Sequence, residues 1–362
     1  MRQVPPVVPG ADANLVAAKL AKSLADPANL GIGTLPGHAY GPIKPEIMQA
    51  GSEFLTQFLG LSKQNISLIP TKGGGSGAIA TGIAAVRAMG YRPQALGFSP
   101  WDWAGYESFC AAQGLEKSYL PESGYTTEDP DTLLLVQTNR NGAGTRLGLK
   151  EAEALIKENN DQQRPNFIDL PYFTGTAEEK AVLNLFQSQA EQPTVMAWSP
   201  TKIFQTFAER PGGVVLILWP NNDWQQRFAW LPGAIARGTT GFDDATTREL
   251  WRQMAEDPQS LQAKHQHYLA VIKTATELWR SQAPAPAQSY FDDAQYGGMF
   301  RLFPADEDAQ ARLAAENIVA VLMNYEQEYR IRVNICGLIQ PDGKPQLGSE
   351  AIIQTFFRIL NF

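Results

Sequence analysis

Ser199-Pro-Thr-Lys-Ile-Phe-Gln-Thr-Phe-Ala-Glu-Arg210 is the stretch on which the reading of this chain turns. Apolar runs flank it, Thr194–Ala197 before and Val214–Leu218 after, and both read as short strands. Between them stands one lysine, Lys202, with the Ser199 hydroxyl ahead of it and Arg210 behind. Its other neighbours are apolar or small and polar, apart from Glu209. Desolvation and a nearby cation both lower an ammonium pKa towards neutrality. A partly neutral amine can condense with an aldehyde to form a Schiff base. Arg210 would then hold a phosphate that anchors the aldehyde. The plainer alternative is a half-buried loop lysine that caps a helix.

Outward from this segment the chain is an ordinary globular sequence. Its 362 residues leave ample material for a core, 44% are hydrophobic and 19% charged. A net charge of −7 with scattered basic residues disfavours a nucleic-acid partner. Two cysteines, Cys110 and Cys336, are too few for a disulfide framework or a cysteine-based zinc site. His265 and His267 fall at i and i+2 of an expected helix, so they point apart and do not form a ligand pair. No metal site is expected. No run approaches the roughly 18 apolar residues of a membrane helix, and the start lacks the apolar core of a signal peptide. A cytoplasmic protein without a membrane partner is therefore the expectation.

Further short apolar strands are expected at Ile66–Pro70, Ala95–Phe98, Thr132–Gln137 and Asn166–Ile168, alternating with helical segments. Leu133–Val136 and Val214–Leu218 are nearly continuous in apolar character, which suits strands buried on both faces. The fold class is α/β with a mostly parallel sheet. Helices are expected at Glu46–Leu59, Ala78–Met89, Ser260–Gln282, Ala305–Tyr325 and from Ser349 onward, with strands at Met299–Phe303 and Ile331–Ile335. The Ala283-Pro-Ala-Pro-Ala287 segment suggests a junction before a small α+β domain.

Other segments add chemistry. In Gly73-Gly-Gly-Ser-Gly77 a strand feeds glycines into a helix start, where backbone N–H groups and the helix dipole favour a phosphate. Asp169 ends a buried strand, the place where sites gather in open α/β sheets, with Tyr172 shortly after it. A strand-end cap and a simple Asn-Gly turn are the plain readings of Asp169 and of Asn139-Arg-Asn141-Gly142. Arg332 lies within an apolar strand and needs a partner; its planar fork matches a carboxylate.

Taken together, these segments resemble fold-type I pyridoxal-phosphate-dependent aminotransferases, nearest the aspartate/aromatic branch. The carriers are Asn29-Leu-Gly-Ile-Gly33, Gly74-Gly-Ser-Gly-Ala-Ile79, Asn141-Gly142, Asp169-Leu-Pro-Tyr172, Ser199-Pro-Thr-Lys202, Glu209-Arg-Pro-Gly212, Gly297-Gly-Met-Phe300 and Arg332-Val-Asn-Ile-Cys-Gly337, in the family's order. The resemblance implies a large domain with a mostly parallel seven-stranded sheet (46–275), a smaller α+β domain (26–45 and 276–362) and an N-terminal arm and helix (1–25). It implies pyridoxal 5′-phosphate on Lys202. Gly75, Ser76, Ser199 and Arg210 would bind its phosphate, joined by Tyr40 from a neighbouring subunit. Asp169 would pair with the ring nitrogen, Tyr172 and Asn141 with the ring oxygen, and an aromatic would stack on the ring. Trp103 fits that place best and Trp101 stays open; Tyr106 stands where the branch commonly has histidine. Gly33, Asn141 and Arg332 would meet the substrate, and Arg237 would select dicarboxylates across a dimer interface. Asn139 competes with Asn141, since Gly142 stands where proline is usual. A stretch that aspartate aminotransferases carry between Gly33 and Tyr40 is missing.

The expected function is transfer of an amino group between an aromatic or acidic L-amino acid and a 2-oxo acid such as 2-oxoglutarate, in a homodimer with shared sites. A pyridoxal-phosphate lyase acting at Cβ would share every cofactor contact, and a non-enzymatic amino-acid sensor is the remaining alternative.

Overall fold

The structure, a computed structural model, describes residues 43–121, 125–206, 212–240 and 245–362. Tyr40, Gly33 and Arg210 lie outside these residues. So do the N-terminal arm and most of the Glu209–Gly212 segment.

Helix α1 (Pro45–Leu59) starts on a proline, carries Glu46 in its first turn and stops at Gly60 in the left-handed region. Strand β1 (Ile66–Thr71) leads into α2 (Gly74–Ala88) through Gly73 at φ 76°. The helix therefore starts inside the glycine run, earlier than the alanines alone suggest. A Cβ at Gly77 would lie 1.5 Å from the Lys72 carbonyl oxygen, so only glycine lets this helix end sit on the strand end.

Strand β2 (Ala95–Phe98), helix α3 (Gly105–Gln113), the edge strand β3 (Glu116–Tyr119) and strand β4 (Thr132–Gln137) follow. Helix α4 (Leu149–Asp161), strand β5 (Asn166–Leu170), helix α5 (Ala177–Gln189), strand β6 (Thr194–Trp198), the single turn α6 (Pro200–Ile203) and strand β7 (Gly213–Leu218) complete the main layer. The sheet order is β1-β7-β6-β5-β4-β2-β3. Only β7 runs against its neighbours; the pairs β6/β5, β5/β4, β4/β2 and β2/β3 are parallel. The expected mostly parallel seven-stranded sheet is present.

Every residue of β4, β5, β6 and β7 is buried. Successive side chains enter opposite cores. Leu134, Ile168, Met196 and Leu216 pack with α1 and α5 on one face. Leu133, Leu135, Phe167, Val195 and Val215 pack with α2 and α3 on the other. This is why the strands read as continuous apolar runs and not as alternating ones.

Helices α7 (Asn222–Arg227), α8 (Leu231–Ile235), α9 (Ala245–Glu256) and α10 (Pro258–Gln282) follow β7. The long α10 joins two cores: Leu261 and Tyr268 pack beneath the main sheet, Ala275 and Trp279 in a third apolar cluster. That cluster covers one face of a three-stranded antiparallel sheet, β8 (Phe300–Ala305), β10 (Glu328–Asn334) and β9 (Val321–Tyr325), in the order β8-β10-β9. Helix α12 (Ser349–Ile359) closes it, with Phe356 edge-on to Trp279 at 5.1 Å and to Phe303 at 5.4 Å.

The helix expected over Ala305–Tyr325 is corrected. Helix α11 (Ala309–Ala315) is short, and Asn317 at φ 60° ends it, with the Ile318 N–H returning to the Leu313 carbonyl. The chain then extends into β9, where pairing with β10 outweighs the helical promise of the alanine run.

Candidate active site

The carboxyl ends of β4, β5 and β6 carry the functional side chains. Register places Gln137, Asp169 and Ala197 opposite one another on adjacent strands, with Ser199 and Lys202 just beyond β6. In an open α/β sheet this end is where ligands bind.

Ser199 caps α6, accepting from the Thr201 N–H at 3.3 Å, and its hydroxyl lies 2.8 Å from that of Thr201. The turn of helix brings Lys202 back over the strand ends. Its Nζ sits 4.6 Å from the centre of the Tyr172 ring, and among the described residues no carboxylate lies within ion-pair distance of it. Burial lowers the Lys202 pKa below the ordinary lysine range; Asp169 opposes that shift and Arg332 adds to it. The lowered lysine pKa expected from the sequence has a physical cause here.

Asp169 is fully buried, and burial pushes its carboxyl up to about 6. A hydrogen bond from the Tyr106 hydroxyl (2.6 Å), the Lys202 ammonium and the Leu170 N–H resist the rise, while Asp102 adds to it. Tyr172, two residues past β5, donates to Asn141 Oδ1 at 3.5 Å and packs edge-on against Phe300 at 5.7 Å. Arg332 crosses from β10, donating through Nε to the Asn141 carbonyl at 3.1 Å and through Nη2 to Asn141 Oδ1, with its guanidinium 3.6 Å over the Phe300 ring. Burial lowers its pKa, and Tyr172 and Asp102 raise it. Lys202, Asp169, Tyr172, Asn141 and Arg332, named from distant parts of the chain, are thus brought together.

The open alternatives separate by their surroundings. Asn139 faces away, donating to the Tyr172 carbonyl (3.0 Å) and to Glu179 (2.7 Å), whereas Asn141 meets Arg332. Gly142 has a reason to replace proline: a Cβ there would lie 1.7 Å from the Trp101 carbonyl oxygen. The Trp101 ring carries Arg330 on its face at 4.3 Å and Tyr325 at its edge. Trp103, half-buried, packs edge-on against Tyr106, the residue that holds Asp169.

At the other end of the site, Gly75 faces Ser199: a Cβ on the glycine would stand 3.5 Å from Ser199 Cβ. Ser76 is exposed in the first turn of α2. The backbone N–H groups at the start of α2, Ser76 and the Ser199–Thr201 hydroxyl pair form a donor set that suits an anion. Arg237 lies exposed on the turn after α8, which packs against β1 and α2. Sequence reasoning missed Gln137 and Asp102 and gave Tyr106 no partner. Gln137 is the polar residue that ends the apolar run of β4, the signal that could have found it.

Among the described residues no group of three or more His, Cys, Asp or Glu side chains could hold a metal ion, and no helix is long and apolar enough to cross a membrane.

No protein-family model matches the chain, and no curated protein matches it. Solved structures do. An aminotransferase from Anaerococcus prevotii superposes with a TM-score of 0.67 over 100% of both chains at 16% identity. A psychrophilic aromatic amino acid aminotransferase from Psychrobacter sp. B6, cocrystallised with aspartic acid, gives 0.68 over 96% of this chain and 88% of that one, also at 16%. An aromatic-amino-acid aminotransferase from Burkholderia pseudomallei, covalently bound to pyridoxal phosphate, gives 0.66 over 98% of both at 15%. The chain has the fold of these aminotransferases, in agreement with the resemblance read from its motifs.

Proposed function

We propose that this chain is a pyridoxal-phosphate-dependent aminotransferase, with Lys202 the residue that takes the cofactor as a Schiff base. The observation that carries the proposal is the half-buried Lys202 amine, its pKa lowered and without an ion pair among the described residues, near the buried Asp169 carboxylate in an aminotransferase fold. The side chains suit the group: a glycine-edged cradle with hydroxyl donors at one end, and at the other an acid placed to pair with a ring nitrogen. Gly75, Ser76, Ser199 and Arg210 would hold the phosphate, with Tyr40 reaching it from a second subunit. Asp169 would hold the ring nitrogen, Tyr172 and Asn141 the ring oxygen, and Trp103 the ring face. When bound, the cofactor supplies an aldehyde and a cationic ring that draws electrons from the substrate's Cα.

The chain's own residues do the rest. Arg332 binds the substrate carboxylate as a bidentate fork, with Asn141 and Gly33 beside it. The Lys202 amine would take the proton from Cα and return it within the site, a task suited to its lowered pKa. Asp169, ionised above about pH 6 in the empty site, would pair with the ring nitrogen and favour its protonated form.

Substrates are an aromatic or acidic L-amino acid and a 2-oxo acid such as 2-oxoglutarate, the acidic choice resting on Arg237 of a second copy. The working form is a cytoplasmic homodimer, with residues 46–275 as the cofactor-binding unit and 26–45 and 276–362 as the smaller one. The test is a screen of purified, cofactor-loaded protein against amino donors with 2-oxoglutarate. Glutamate formation supports transamination. Pyruvate and ammonia without an acceptor would support a Cβ lyase instead, and no turnover with any donor would support a sensor.

A further inference from the structure

We infer that Tyr106 and Gln137 are positioning residues, joining the Asp169 end of the site to its Asn141–Arg332 end through an uncharged hydrogen-bond relay. The chain of contacts is continuous. The Tyr106 hydroxyl donates to Asp169 Oδ2 at 2.6 Å, and its oxygen accepts from Gln137 Nε2. Gln137 Oε1 then accepts from the Asn141 N–H, and Asn141 Oδ1 accepts from Arg332.

The direction of each bond follows from chemistry. Asp169 as a carboxylate can only accept, so the single Tyr106 proton goes to it. The phenol oxygen must then accept, which turns the Gln137 amide nitrogen towards it and leaves the Gln137 carbonyl for the Asn141 N–H. Reversing any one member breaks the next. Strand register makes the geometry inevitable, since Gln137 stands opposite Asp169 on the adjacent strand and Tyr106 arrives from α3.

The four residues from Asp169 to Asn141 are buried, Tyr106 and Gln137 completely, and Arg332 at the far end is half-buried. Water does not replace a lost partner there, so removing one link leaves a polar group unpaired. Because neither linking side chain carries a charge, the relay orients Asp169 and stabilises its ionised form without neutralising it. The edge-on Trp103 ring, 5.6 Å from Tyr106, holds the phenol in line. Asn141 is thereby fixed at its backbone by Gln137 and at its side chain by Arg332, so a disturbance at Asp169 reaches the residue that would meet the substrate carboxylate.

This inference rests on the proposed pyridoxal-phosphate chemistry, and the experiment separates the two. Tyr106→Phe, Gln137→Leu and the double variant are titrated with pyridoxal phosphate from pH 5 to 8, followed by fluorescence and then by kcat/KM. Tyr106→Phe should weaken cofactor binding about 10- to 100-fold, the range for a lost hydrogen bond to a charged group. It should also raise the acid midpoint of binding, because the lost donor held the Asp169 pKa down. Lys202 and Asp102 also face Asp169 and are unchanged in this variant. Gln137→Leu should then cost at least threefold less in the Tyr106→Phe background than in the wild type, the mark of linked residues. Losses that multiply independently, or an unmoved midpoint, overturn the relay. A wild type that takes up no pyridoxal phosphate contradicts the functional proposal. The relay is then decided by the same cycle read on urea midpoints of the cofactor-free protein, where additive shifts overturn it and coupled shifts support it.

Discussion

Two buried carboxylates stand near the same strand ends, and their surroundings differ. Glu179, in the first turn of α5, accepts from Thr138 Oγ1, from Asn139 Nδ2 at 2.7 Å, and from the Thr174 N–H, Thr174 Oγ1 and Gly175 N–H at 2.7 to 3.0 Å. Its oxygens are saturated by fixed donors, so it pins the loop after β5 to the loop after β4. Asp169 has one side-chain donor, Tyr106, and the Leu170 N–H. Burial raises both pKa values. A saturated buried acid is scaffold; an acid held on one side with acceptor capacity left over is placed for a ligand.

That comparison can be broken by mutation. Asp169→Asn keeps the shape and removes the charge, and should cut kcat/KM by about 10²- to 10³-fold, the scale of one preorganised electrostatic partner. Its denaturation midpoint should stay at or above that of the wild type, since a costly buried charge is gone. Glu179→Gln should do the reverse, because its amide would turn donors towards donors. A loss of about 3 kcal/mol in urea denaturation is expected, with a kcat in the folded protein that changes less than for Asp169→Asn. A stability loss at Asp169 equal to that at Glu179 would erase the distinction.

Arg332→Ala should raise the amino-acid KM about 10- to 100-fold through lost charge-assisted hydrogen bonds, with a smaller effect on cofactor affinity. The smallest effect sharpens the Asp169 side. In the empty site its carboxyl takes up a proton below about pH 6, and pairing with a cationic ring requires that proton to leave. Cofactor affinity should therefore fall as pH drops below 6, by up to roughly tenfold per unit for one proton. The Asp169→Asn protein should lack that limb when titrated alongside.

Strands β4 to β7 were legible because burial on both faces leaves unbroken apolar runs, and the residues ending them carry the chemistry. Lys202, Asp169, Tyr172, Asn141 and Arg332 could be named from such endings and from motif order. Tyr106 and Gln137 could not be joined, since their contact arises only when α3 docks against the ends of β4 and β5. The choice between Asn139 and Asn141 was hidden for a similar reason: Glu179, which claims Asn139, lies far along the chain. The alanines after Pro304 suggested a helix through Tyr325, but the pairing of β9 with β10 is a tertiary effect that local propensity does not contain. Gly142 looked like a departure in sequence; the Trp101 carbonyl packed against it supplies the cause.

Borohydride reduction of the protein incubated with pyridoxal phosphate, followed by peptide mapping in a mass spectrometer, is the most direct test. A pyridoxyl-phosphate label on the peptide containing Lys202, lost together with the visible absorption band and turnover in Lys202→Ala, is the predicted result. A label confined to surface lysines, or turnover that survives in Lys202→Ala, would contradict the account.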